Sequence, residues 1–168
     1  MYTTFNGFLD DWKQEAALTL QVLDKLTDDS LNQKVSDAQP RTIGEIAWHV
    51  VQSVPFFVNQ IGLQQEIPAS EEGSAAAIAQ AYRRASEAVV AELNANWADQ
   101  DDKLPQPLKL FGVIDTTVGG VLNGLIRHQI HHRGQITILM RQAGLAAPGV
   151  YGPNEEETAA MRAAQANS

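Results

Sequence analysis

The stretch Arg127-His128-Gln129-Ile130-His131-His132-Arg133-Gly134-Gln135 carries three of the chain's four histidines. It lies inside a long apolar segment that reads as one helix. His128 and His132, four residues apart, therefore stand one turn apart on one face and can aim their imidazoles at a common point. Val121, Leu125, Ile136 and Leu139 share that face, so the pair interrupts an apolar stripe that would face a core. A polar ring buried there without a partner costs roughly 1–3 kcal/mol, so it must be hydrogen-bonded or metal-bound. A lone buried histidine is ordinarily a core residue satisfied by a carbonyl. Two in ligand register leave both readings open, and a third, His49, decides between them.

Working outward, Phe5, Phe8, Leu9, Trp12, Ala16, Leu20 and Leu23 recur at helical spacing and predict a first helix from about Thr4 to Leu26. Thr42-Ile43-Gly44-Glu45 is a capping box, in which each side chain satisfies a free backbone N–H at a helix start. The second helix begins there. Its apolar face runs through Ile46, Val50, Val54, Phe57, Val58 and Ile61, with His49 one residue off it beside Ser53 and Phe56. Pro55 predicts a kink about one turn past His49. After a surface connection from Gly62 to Gly73, Ser74 to Trp97 reads as an alanine-rich third helix. Leu108 to Ile114 is a short apolar run read as irregular. Asp115 or Thr116 is the expected cap of a fourth helix that continues to Ala143, with Gly144 ending it. A second apolar face of that helix, Val118, Leu122, Ile126, Ile130 and Met140, predicts burial on several sides, with part of the surface open to a second subunit. The tail Pro148-Gly149-Val150-Tyr151-Gly152-Pro153 leads into a short helix from Asn154 to Ala164.

Four long helices without a strand pattern predict an all-α four-helix bundle, in one domain over residues 1–168. Hydrophobic residues make up 44% and charged residues 19%, an ordinary globular composition. The formal charge of -8 argues against nucleic acid and anionic membrane surfaces as partners, because both need a basic footprint. Cysteine is absent, which removes disulfides, thiolate ligands and a cysteine nucleophile. The first residues lack a basic region followed by an apolar run, and no uncharged apolar run is long enough to span a bilayer, so the expected location is the cytoplasm.

A bundle interior is where such folds build metal sites from facing side chains. His49 on the second helix can join His128 and His132 of the fourth around one divalent ion. Three neutral imidazoles leave a coordination position open, the arrangement of catalytic rather than closed structural zinc sites. A nucleophile held there, water or thiol, would ionise more readily than in bulk.

His128-x-x-x-His132-Arg133-Gly134-Gln135, the helix-borne His49 after its capping box, and the Pro148-Gly149-Val150-Tyr151-Gly152-Pro153 tail together resemble the DinB/YfiT-like metalloenzyme family. The resemblance covers nearly the whole chain. It implies a four-helix bundle with long crossover connections, commonly a homodimer, and a metal triad at His49, His128 and His132 with zinc or nickel as the ion. It also implies a metal-dependent transferase or isomerase using a low-molecular-weight thiol, such as bacillithiol or mycothiol, on a small electrophilic substrate. The alternatives are a metal-dependent hydrolase and a noncatalytic dimeric bundle whose histidines are only polar core residues. The family shares its name with an unrelated DNA polymerase, which nothing in this chain resembles.

Around the triad, His131 lies about 100° round the helix from His132 and reads as an edge or dimer contact rather than a ligand. Gly134 reads as a packing glycine that lets another helix approach. Gln135 can line the pocket or make a plain polar contact. Glu45 can orient His49 from one turn away, though the capping box already explains it. Arg127 and Arg133 can bind an anionic substrate or thiol carboxylate, against a solvated or inter-subunit role. Tyr151 and Asn154 reach the pocket only if the tail folds over the bundle mouth. Ferritin-like Glu-x-x-His motifs are absent, and Gln129 stands where a His-Glu-x-x-His protease has its base.

Overall fold

Four hydroxyl side chains start the four main helices. Thr4, Thr42, Ser74 and Thr117 accept from the backbone N–H of Gly7, Glu45, Ala77 and Gly120, each satisfying a donor that the first helical turn leaves free. The computed structural model describes residues 2–71 and 73–166. In it α1 spans Phe5–Leu23, α2 Ile43–Asn59, α3 Ala75–Asn96 and α4 Val118–Gln142. Both halves of the Thr42–Glu45 capping box form, at 3.2 and 2.7 Å.

α1 stops three residues before the periodicity suggested. Lys25 and Leu26 donate to Val22 and Leu23, so the chain tightens into i→i+3 bonds while Leu26 stays buried. Thr117, not Asp115 or Thr116, caps α4, because β-pairing holds those two residues extended until position 117.

α4 packs on α1 and α2, and α3 packs on the same two helices. Round the bundle the order is therefore α1, α3, α2, α4, which puts α1 diagonal to α2 and α3 diagonal to α4. The connections at 24–42 and 97–117 are the long crossovers of the bundle. A single apolar cluster fills the interior, with Phe5, Phe8, Trp12, Ile43, Tyr82 and Leu122 fully enclosed. Pro55 lies inside α2 and is buried, so the chain carries it as a helical residue. Of the second apolar face of α4, Val118, Leu122, Ile126 and Met140 are buried, whereas Ile130 is exposed.

The Leu108–Ile114 run is not irregular. Pro107–Leu110 and Ile114–Thr117 form an antiparallel hairpin, β1 and β2, pairing Leu110 with Ile114. Its turn sets positive φ at Phe111 (55°) and Gly112 (75°), with Val113 donating to Leu110. Positive φ at both central positions is the pattern of a type I′ turn, which favours Asn-Gly or Asp-Gly. Phenylalanine in the first position costs on the order of 1–3 kcal/mol of backbone strain.

The tail ends in α5, Glu155–Ala166, whose residues are all exposed or half-buried. Asn154 caps it by accepting from Glu157 at 2.7 Å and donates to Ala147 at 3.0 Å. Arg141 of α4 pairs with Glu156 at 2.5 Å.

Candidate metal centre

Three elements of local structure place the histidines. The capping box starts α2 so that His49 lies two turns in, on the side facing α4. The four-residue spacing brings His128 and His132 to one face of α4, with ring centroids 4.4 Å apart. The ring of His49 stands 4.8 Å from His128 and 4.7 Å from His132. One nitrogen from each of the three rings lies within 4.8 Å of the others, and the Nε2 atoms of His49 and His128 are 3.0 Å apart. Among the described residues this is the one group of histidine and carboxylate side chains close enough to hold an ion.

The geometry fits a divalent cation on three counts. Bonds of about 2.0–2.1 Å to imidazole would set tetrahedral donors roughly 3.3 Å apart, close to the 3.0 Å between the His49 and His128 Nε2 atoms, with all three donors within 4.8 Å of one another. Two ring nitrogens at 3.0 Å cannot present lone pairs to each other unless a proton or cation lies between them. Gln135 Oε1 stands 2.7 Å from His132 Nδ1, and since an amide oxygen only accepts, Nδ1 carries the proton and Nε2 keeps its lone pair for the centre. The third ring is less complete, because His128 Nδ1 is buried without a hydrogen-bond partner.

Electrostatics keep the rings neutral, the form that ligates. Burial lowers the pKa of all three, most of all for His128, to about 4, where the neighbouring His132 adds to the effect. The guanidinium of Arg41 reinforces this at each ring, while the Gln135 bond pulls His132 the other way.

Between the two helices Gln129 acts as a clamp. Fully buried, it donates from Nε2 to Val50 O at 3.1 Å and to Ser53 Oγ at 2.9 Å, bridging the positions next to His49 and His128. Periodicity marked Gln129 only as the absence of a protease base. A polar residue on a buried face was the available signal, but its partners lie 76 and 79 residues away.

Beside the rings opens a cleft of about 450 Å³ bounded by His49, His128, Phe56, Phe57, Ile67 and Phe111. His131 stays outside the triad, exposed, with its ring 4.8 Å from His132. Glu45 is used by the capping box. Arg127 is exposed.

Arg133 belongs to a different structure altogether. Only 1% exposed, it donates to Glu15 O and Thr19 Oγ1, each at 3.0 Å, to Glu15 Oε2 at 2.6 Å, and to the Tyr151 hydroxyl. It ties α4 to α1 and to the tail, and offers no free guanidinium to an anionic substrate. Tyr151, which also donates to Glu15 at 2.7 Å, is thereby held at that tie rather than over the cleft. Gly134 has nothing among the described residues within 4 Å of the position a Cβ would take, so no described helix approaches it closely.

The profile of the DinB family matches residues 1–166. The chain is 41% identical over 162 residues to the uncharacterized protein YrdA of Bacillus subtilis, covering 95% of each. It is also 41% identical to Protein DinB of Bacillus subtilis over 58 residues, about a third of each chain. Among solved structures, a DinB-like protein from Bacillus cereus superposes with a TM-score of 0.82 at 41% identity, over 90% of this chain and 100% of that one. YfiT from Bacillus subtilis, described as a probable metal-dependent hydrolase with an unusual four-helix bundle topology, superposes at 0.61 with 16% identity, over 84% and 88% of the two chains.

Proposed function

The chain belongs to the DinB family, and from that premise we propose that it is a metal-dependent enzyme in which His49, His128 and His132 hold a divalent ion, zinc or nickel. The observation that carries this reading is the convergence of three neutral imidazoles from two helices, one nitrogen each within 4.8 Å, on a cleft lined by two of them. When bound, the ion supplies Lewis acidity that eases ionisation of a nucleophile at the open position.

The protein's own residues do the rest. Gln135 holds His132 in the tautomer that turns Nε2 inward. Gln129 locks α2 against α4 beside the ligands. Phe56, Phe57 and Phe111 wall one side of the cleft and keep bulk water off the reacting end of a substrate.

The reaction proposed first is transfer of a low-molecular-weight thiol to a small electrophile. With no cysteine in the chain, the thiol comes from a cosubstrate. Hydrolysis is the second reading, favoured by the description of YfiT, a structural neighbour. The proposed assembly is a homodimer, and the proposed partners are small molecules alone.

Elemental analysis of the native protein tests the centre. About one equivalent of metal is expected in the wild type and less than about a tenth in His128→Ala, since loss of one of three ligands empties such a site. Full metal in the variant overturns the assignment. Consumption of a generic electrophile with and without added thiol then separates the two reactions, because turnover without thiol is hydrolysis.

A further inference from the structure

The strained turn of the β1–β2 hairpin has a target. Phe111, held at φ 55°, puts its ring 5.4 Å from Phe56 in a stacked arrangement and 6.0 Å from Phe57 edge to face. Phe57 in turn lies 5.3 Å from the ring of His128. Aromatic surface thus runs unbroken from the hairpin tip to a proposed metal ligand. Phe56, Phe111 and Ile67 remain 44–46% exposed at this mouth, and a folded chain seldom leaves large apolar groups clustered in the open without a ligand to cover them. Val113 and Ile114, also exposed, extend the apolar surface along the hairpin.

Outside the two histidines, the side-chain hydrogen-bond donors of the cleft are already engaged. The Gln52 amide nitrogen donates to Pro68 O and Ser70 Oγ. Ser53 Oγ donates to Val50 O and accepts from Gln129. Apart from the two histidines, no ionisable side chain among the described residues lines the cleft.

The geometry points to an uncharged substrate bearing an aromatic or similarly flat apolar group, seated between Phe56, Phe57 and Phe111 with its reacting atom at the histidines. This rests on the metalloenzyme reading and narrows it to a substrate class. Phe111 is then a specificity residue, kept in a position where glycine would relax the backbone.

The test uses the full-length protein, metal-free and loaded with zinc or cobalt. The probe is 4-fluorobenzyl alcohol, followed by fluorine NMR, with 2-fluoroethanol as the non-aromatic comparator. The aromatic probe is expected to broaden on binding, to relax faster on cobalt-loaded than on zinc-loaded protein, and to bind roughly three- to tenfold more weakly to Phe111→Gly. The same substitution should leave the melting temperature unchanged or raise it. Equal behaviour of the two probes overturns the proposal. So does a Phe111→Gly variant that binds as tightly as wild type but melts about 5 °C or more lower, which would make the ring a packing residue only. If metal-free protein binds the aromatic probe through Phe111 but retains no cobalt, the cleft assignment stands and the metal reading falls. If cobalt is retained and the aromatic probe is ignored, the reverse holds.

Discussion

At the scale of single residues, the proposed metal centre depends on which nitrogen of each ring carries a proton. Gln135 settles this for His132 through one 2.7 Å bond, and outer contacts of this kind typically change metal affinity by 10–100-fold. Gln135→Ala should therefore weaken the metal by about that factor in a chelator competition, while Gln135→Glu, which keeps an acceptor, should hold it near wild type. Equal weakening in both would assign the side chain to packing. The pairing of His128 and His132 was legible from spacing alone, because four residues make one helical turn. The Gln135 bond was only one of two readings, since a glutamine three residues on has many rotamers and the periodicity selects none.

At the scale of elements, the helices were read with small errors at their ends, and the hairpin was missed. The reason is chemical. The usual turn signal is Asn-Gly or Asp-Gly, whereas here Phe111-Gly112 occupies the positions with positive φ, so the residue that serves the cleft hides the turn. Gln129 is the second element-scale feature that periodicity passed over. Replacing it by leucine takes a donor from the Ser53 hydroxyl and the Val50 carbonyl inside the α2–α4 contact, and should cost roughly 1–3 kcal/mol in urea unfolding. Loss of metal affinity should accompany it, as the two helices that carry the proposed ligands are no longer tied at the site. The tail helix gives a pH prediction. The hydrogen bonds from Arg141 draw Glu156 down from its ordinary 4.5 to about 2, so the docked tail binds that proton less readily than the free one. The contribution is then complete above pH 4.5 and lost as pH falls from there towards 2. Amide exchange of residues 155–166, corrected for intrinsic rates, should rise at pH 3 relative to pH 6, and Arg141→Gln should remove most of that difference.

At the scale of the whole molecule, α4 is enclosed on the sides that meet α1 and α2 but leaves Ile130, Gly134 and Ile138 one turn apart on one face, both isoleucines exposed and Gly134 and Ile138 bordering a cleft with Val35, Gln39 and Arg41. Glycine inside a helix costs roughly 0.5–1 kcal/mol relative to alanine, and nothing among the described residues lies close enough to Gly134 to need its small size. A second copy packed there fits the proposed homodimer. Light scattering should give twice the chain mass for the wild type and the single chain mass for Ile138→Glu, with unchanged helical content. A monomeric wild type at tens of micromolar would remove the proposal.

Local periodicity and spacing sufficed to determine the four main helices, the Thr42–Glu45 capping box and the shared face of His128 and His132, because contacts three and four residues apart are written into the order of the chain. The tertiary structure alone decided that His49 meets that pair across 79 positions, that Arg133 is spent on Glu15 and Tyr151, and that Phe111 faces the cleft. Those outcomes depend on how α1, α2, the hairpin and the tail pack against α4, and a residue's own neighbours in sequence carry no record of which distant side chain will fill the space beside it.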